Sequence, residues 1–113
     1  MSNTRIMFLR DANDRPVGCL AISVDRRNHR VDYGISVLNP ADKFDRKMAR
    51  QLAIGRMVET PFHTYLMKKD KELNMHHISE CVMMHVAYVS GAPSRAVKAA
   101  KYWLDYQGYS EES

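Results

Sequence analysis

Residues 30–38 read Arg-Val-Asp-Tyr-Gly-Ile-Ser-Val-Leu. Val31, Tyr33, Ile35 and Val37 recur at every second position, with Asp32, Gly34 and Ser36 between them. A strand turns successive side chains to opposite faces, so this spacing predicts a strand in a sheet with one buried face and one wet one. Upstream, residues 17–24 place Leu20, Ile22 and Val24 two apart, and residues 5–10 set Ile6 and Phe8 against Met7 and Leu9. Gly18 marks a bulge or a close backbone approach. The links at 11–16 and 25–29 are rich in Asp and Asn, whose side chains bond nearby backbone and favour turns. Links this short join antiparallel neighbours.

Downstream, Asn39-Pro40-Ala41-Asp42 predicts a helix start. Asn39 caps it, Pro40 suits its first position, and Asp42 suits the positive first turn. The helix is expected to run to about residue 59 and stop before Pro61. Gly55 in its interior costs roughly 1 kcal/mol against alanine, which predicts a close neighbour or ligand there. Residues 62–73 allow either a further strand or an irregular connection. Asn74 is expected to cap a second helix at about 75–89. Ser94 is expected to cap a third at 95–107, stopped by Gly108. Strands first and helices later give an α+β fold, an N-terminal antiparallel β-meander packed against two or three helices. The helices are expected to cover the Val31/Tyr33 face, completing two layers. The 113 residues form a single domain. Its sheet is expected at about 5–38, its helical part at about 40–108 and a frayed tail at 110–113.

With 45% hydrophobic and 27% charged residues the chain is an ordinary globular protein, which excludes extensive disorder. A formal charge of +4 favours an acidic partner: phosphate, nucleic acid or an acidic protein surface. Two cysteines, Cys19 and Cys81, make no disulfide framework. Neither a signal peptide nor an apolar run of ~20 residues is present, so a cytoplasmic protein with no membrane association is expected. Both thiols should then be reduced and buried as small hydrophobes.

The first helix carries the most chemistry. At 100° per residue Phe44, Met48, Leu52 and Gly55 fall on one face and Lys43, Arg46, Lys47 and Arg50 on another, with Arg56 toward a flank. Arginine's planar fork grips two phosphate oxygens where lysine offers a point charge. The N–H groups of a helix start add positive potential, and Phe44 is placed to stack on a base. A basic stripe is more often a solvated face, so charge alone leaves both readings open.

Other constellations are weaker. His77, Cys81 and His85 recur every four residues and are zinc-ligand types. Ile78 stands where a helical metalloprotease has glutamate, and there is no CxxC pair, so no metal is expected. A Cys81–histidine nucleophile on one rigid helix lacks an orienting carboxylate. No Walker loop, dinucleotide fingerprint or GxSxG appears, so no cofactor and no catalytic residue is assigned. On the third helix Val97, Ala100 and Leu104 form the expected inward set. Tyr102, Trp103, Tyr106 and Tyr109 supply rings suited to base stacking or to an interface, with an interface or the core favoured for Trp103. The eight methionines suit adaptable packing.

The block at 37–57, VLNPADKFDRKMARQLAIGRM, resembles a feature of small phage proteins in which a strand passes an Asp-Lys-Phe turn into an Arg-bearing helix. The order of elements also resembles the Thoeris anti-defence sponges, phage proteins with an antiparallel sheet followed by helices. The resemblance covers that block in sequence and the remainder in layout. It implies a counter-defence protein in the cytoplasm of an infected bacterial host. Such a protein forms a homodimer or larger homo-oligomer and sequesters cyclic ADP-ribose-type signals without hydrolysing them. Phe44, Arg46, Arg50 and Arg56 are then the implied ligand-binding residues, closed over by a partner subunit. Ala49 stands where such proteins are expected to carry glycine. The expectation is therefore a nucleotide-sequestering protein and not an enzyme. The alternative is a basic module that binds nucleic acid or inhibits a host protein.

Overall fold

Both links between the first three strands are built by aspartate. In the first, the Asp11 carboxylate accepts hydrogen bonds from the Asn13 and Arg15 amides at 2.9 and 3.0 Å, and Asp14 takes a left-handed φ of 61°. In the second, Asp25 accepts from the Asn28 amide and side chain at 3.2 and 2.8 Å, and these bonds hold its carboxyl below the usual range. Asp and Asn owe their frequency in turns to this self-bonding. The computed structural model describes residues 4–38, 43–65 and 75–107.

Three strands follow from these turns: β1 (Thr4–Arg10), β2 (Pro16–Asp25) and β3 (Arg30–Val37). They are joined by β4 (Phe62–Tyr65), so the open segment at 62–73 begins as a strand, and its residues 66–73 lie outside the described residues. The sheet is antiparallel in the order β1-β2-β3-β4, so β1 and β4 are its edges. The register shifts at Leu9/Arg10, where Gly18 opposes Leu9. A Cβ on Gly18 would lie 2.0 Å from the Ser36 carbonyl oxygen, so the close approach expected there is real.

The three helices, α1 (Arg46–Glu59), α2 (Met75–Tyr88) and α3 (Ser94–Tyr106), divide between the two faces of the sheet. Leu20, Ile22, Val31 and Tyr33 pack under α2 and α3, whose contributions include Val82, Val86, Ala100 and Leu104. On the opposite face Cys19 and Ala21 pack under Ala49, Ala53 and Met57 of α1. The second face is thus covered where α1 lies, and the expected wet side and two-layer arrangement are corrected. Gly34 and Ser36 read as solvent-facing because they are small and polar. They are small because the α1 backbone rests on them. A Cβ at Gly34 would come within 2.3 Å of both the Ala53 oxygen and the Met57 nitrogen. Ser36, fully buried, donates its hydroxyl to the Ala49 carbonyl at 2.7 Å.

The start of α1 is also corrected. Its N-cap is Asp45, whose carboxylate accepts from the amides of Lys47 and Met48 at 3.0 and 3.1 Å. Asn39, Pro40 and Asp42 lie outside the described residues, and Lys43 and Phe44 precede the helix. The inward line is Ala49–Ala53–Met57, while Met48 (52% exposed) and Leu52 (40%) face outward. Choosing the largest apolar residues as the buried ones therefore inverted the helix, because close packing on a glycine-bearing strand demands alanine. Nothing lies within 4 Å of a Cβ at Gly55, so the neighbour expected there is not within this chain's described residues.

In α3 Ala100 and Leu104 are buried as expected, joined by Ala96 and Ala99, with Val97 only half-buried. Ser94 is the first helical residue and makes no capping bond; the N-cap is Pro93. The Asn74 cap, Gly108, Tyr109 and the tail at 110–113 lie outside the described residues. Among the described residues no helix is long and apolar enough to cross a membrane.

Candidate functional site

Arg46 and Arg50 stand one turn apart on α1 and share a flank. That flank overhangs β1 and β2. The Arg46 guanidinium carbon lies 5.3 Å from the centroid of the Phe8 ring, a cation–π distance. Phe44, in the residues leading into α1, meets the same ring edge-on at 6.1 Å. Arg50 is close enough to the Cys19 thiol for its charge to be felt. Burial nonetheless dominates and pushes that thiol up to about 11. Lys43 and Lys47 are exposed beside them. Of the four residues expected to bind ligand, Phe44 and Arg46 thus meet at Phe8, and Arg50 stands one turn further along beside Cys19, the cross-strand partner of Phe8.

Arg56 does not join them. Ten residues beyond Arg46, it falls about 80° round the helix. Its Nη1 donates to the Ile35 carbonyl at 2.7 Å, on the β3 side of the buried alanine line. The positive potential expected from a bare helix start is also reduced, since Asp45 takes up two first-turn amides and brings a negative charge.

Phe8 was not singled out in the sequence, although its place opposite Leu9 in the alternation put it on the second face. With that face taken as wet, an aromatic there carried no message. Its ring is what assembles the site.

A cleft opens on the other side of Phe8, between the β1 edge and α3. It encloses about 390 Å³ and is lined by Phe8, Arg10, Asp14, Tyr102, Trp103 and Tyr106 among others. Arg10 is tied to Asp14 by a Nη1 bond to its carbonyl at 3.1 Å and an ion pair at 3.8 Å.

His77, Cys81 and His85 do not converge: His77 Nδ1 lies 3.4 Å from buried Glu80, and His85 Nδ1 lies 2.5 Å from the Tyr33 hydroxyl. Burial pushes Tyr33 up to about 12, so its hydroxyl keeps its proton. Burial lowers the pKa of His85. Cys81 is half-buried, less than expected, and Cys19 fully buried. Among the described residues no three His, Cys, Asp or Glu side chains are grouped as metal ligands. His63 Nδ1 bonds Asp32 at 2.6 Å, and Arg30 lies 3.1 Å from the same carboxylate oxygen. Ser23 is the cross-strand partner of Asp32 on the other side, so the acid stands between hydroxyl and imidazole. A nucleophile relay needs the imidazole in the middle.

Comparisons with protein-family models, curated proteins and solved structures find no match for this chain.

Proposed function

We propose that this chain is a binding protein that holds a small phosphorylated nucleotide at the Arg46–Arg50 flank and releases it chemically unchanged. The observation that carries the reading is the pair of exposed guanidiniums one turn apart, with Arg46 set over the Phe8 ring and Phe44 beside it. Two planar cations at that spacing suit adjacent phosphate oxygens, and the rings suit what a phosphate is attached to. Beside this flank the Cys19 thiol is buried and stays protonated and the Asp45 carboxylate caps the helix, so on this reading binding energy goes into holding the ligand and not into a transition state. The likeness of residues 37–57 to phage counter-defence proteins extends the proposal to sequestration of an immune signalling nucleotide. A second subunit in a homo-oligomer would close over the open flank, and Arg56, already engaged with Ile35, drops out of the binding set.

The test is retention. The protein is incubated with cyclic ADP-ribose isomers, cyclic dinucleotides and linear nucleotides, desalted and heat-denatured, and the released ligand is identified by mass. Retention of intact ligand by the native protein and its loss in Arg46→Ala/Arg50→Ala are expected. If nothing is retained, or the ligand returns cleaved, the proposal fails. Lys43 and Lys47 extend the same charge, which keeps nucleic acid as the second reading. Affinity for DNA or RNA would then fall with salt at a slope of about 0.7–0.9 per phosphate neutralised.

A further inference from the structure

The β1/α3 cleft is a separate feature from the cationic flank, reached by neither α1 arginine in the bonds described above. We infer that it is a binding site for a planar aromatic or heteroaromatic ring system, and that Phe8 joins it to the anion-binding flank so that one ligand can occupy both. The inference rests on the nucleotide reading only for the anionic end of that ligand.

The floor of the cleft is buried hydrocarbon: Leu9 from β1, Met83 from α2 and Ala99 from α3. Its sides carry four aromatic rings, Phe8 from β1 and Tyr102, Trp103 and Tyr106 from α3. An apolar floor with aromatic walls and a few polar groups at the rim is the usual make-up of a small-molecule pocket. The volume of about 390 Å³ falls within the ~300–1,000 Å³ such pockets span. Ring faces attract other ring faces largely without regard to sequence of substituents, so this lining selects a flat π-system over an aliphatic chain.

The rim is set in place independently of any ligand. The Asp11 turn puts Asp14 in its left-handed conformation, and the Asp14 carbonyl and carboxylate hold Arg10. With its charge offset by Asp14, Arg10 offers a planar stacking surface and hydrogen-bond donors more than a bare cation. The strong positive charge lies past Phe8, at Arg46 and Arg50. A ligand seated in the cleft would therefore direct its anionic group around the β1 edge toward α1. Tyr106 is 79% exposed and contributes little to the core, which makes it the natural outer face of the site.

Trp103 is the sole tryptophan of the chain, so its emission reports directly on this cleft. The full chain is titrated with the monophosphates AMP, GMP, CMP and UMP, with the corresponding nucleosides, and with ribose 5-phosphate, followed by tryptophan fluorescence and by calorimetry. At least one nucleotide and its nucleoside should quench Trp103. Ribose 5-phosphate should bind without quenching. Tyr106→Ala should weaken the quenching ligands by about 5- to 150-fold, the loss expected for one stacking ring, and leave ribose 5-phosphate unaffected. Arg46→Ala should weaken ribose 5-phosphate and the nucleotides and leave the nucleosides unaffected. Ribose 5-phosphate binding with no quenching by any nucleoside or nucleotide would overturn the cleft inference and leave the anion flank standing. Nucleoside binding with no gain from phosphate would do the opposite. Trp103 emission that changes with protein concentration and not with ligand would show a second copy filling the cleft, and would also overturn the inference.

Discussion

Replacing Gly34 with alanine tests the packing of α1 on β3. The added Cβ would sit 2.3 Å from the Ala53 oxygen and 2.3 Å from the Met57 nitrogen, whereas ordinary contact begins at 3.4 Å. Both obstacles are backbone, so rotamer changes give no relief and α1 must retreat by 3.4 − 2.3 = 1.1 Å. Overpacking of this kind costs about 1–3 kcal/mol. The same retreat stretches the 2.7 Å bond from Ser36 to Ala49 and leaves a buried hydroxyl unsatisfied, a further ~1–3 kcal/mol. Against this, alanine narrows the unfolded ensemble and returns about 0.4–1 kcal/mol. The net loss is about 1–6 kcal/mol. For a domain of this size that lowers the melting temperature by roughly 4–24 °C. The assay is thermal melting with urea unfolding, the midpoint falling and the slope unchanged. Gly55→Ala is the matched control, because nothing stands within 4 Å of its Cβ and helix propensity favours alanine by up to about 1 kcal/mol. A Gly34→Ala protein melting within about 2 °C of the parent, or a Gly55→Ala protein equally damaged, would refute the account of how α1 is seated.

Asp45→Ala removes the α1 cap and should cost about 1 kcal/mol, seen as a shift of roughly 4 °C in the same melt. The two thiols should separate by reactivity. At pH 8 Cys81 should react with a disulfide reagent while Cys19, fully buried and pushed up to about 11, reacts only as fast as the protein opens. Equal rates would contradict that burial. Acid should weaken the fold through His85. Its folded pKa lies below the unfolded value of about 6.5, so the unfolded state protonates first and stability falls as pH drops through 6.5 toward the folded value. Urea midpoints measured from pH 7.5 to 5 should show the fall, and His85→Gln should flatten it.

The meander was legible because its causes are local. Alternation over Val31, Tyr33 and Ile35, and aspartates at 11 and 25 that bond their own turns, act within a few residues of themselves. Helix existence was legible for the same reason. Its details were not: Asn39 and Asp45 are both good caps, and which one starts the helix depends on where α1 meets the sheet.

The sequence by itself determined the antiparallel order of β1 to β3, a helical part after the sheet, and the presence of cationic and aromatic residues on particular segments. Tertiary structure alone decided which face of α1 is buried, since the fit of Ala49 and Ala53 against Gly34 belongs to the pair of surfaces and to neither helix nor strand. It also decided the site. Phe8 lies under Arg46 and lines one cleft with Trp103 only because the chain brings residues far apart in sequence to one edge strand. Contacts of that kind follow from packing volume, which no local pattern of residues records.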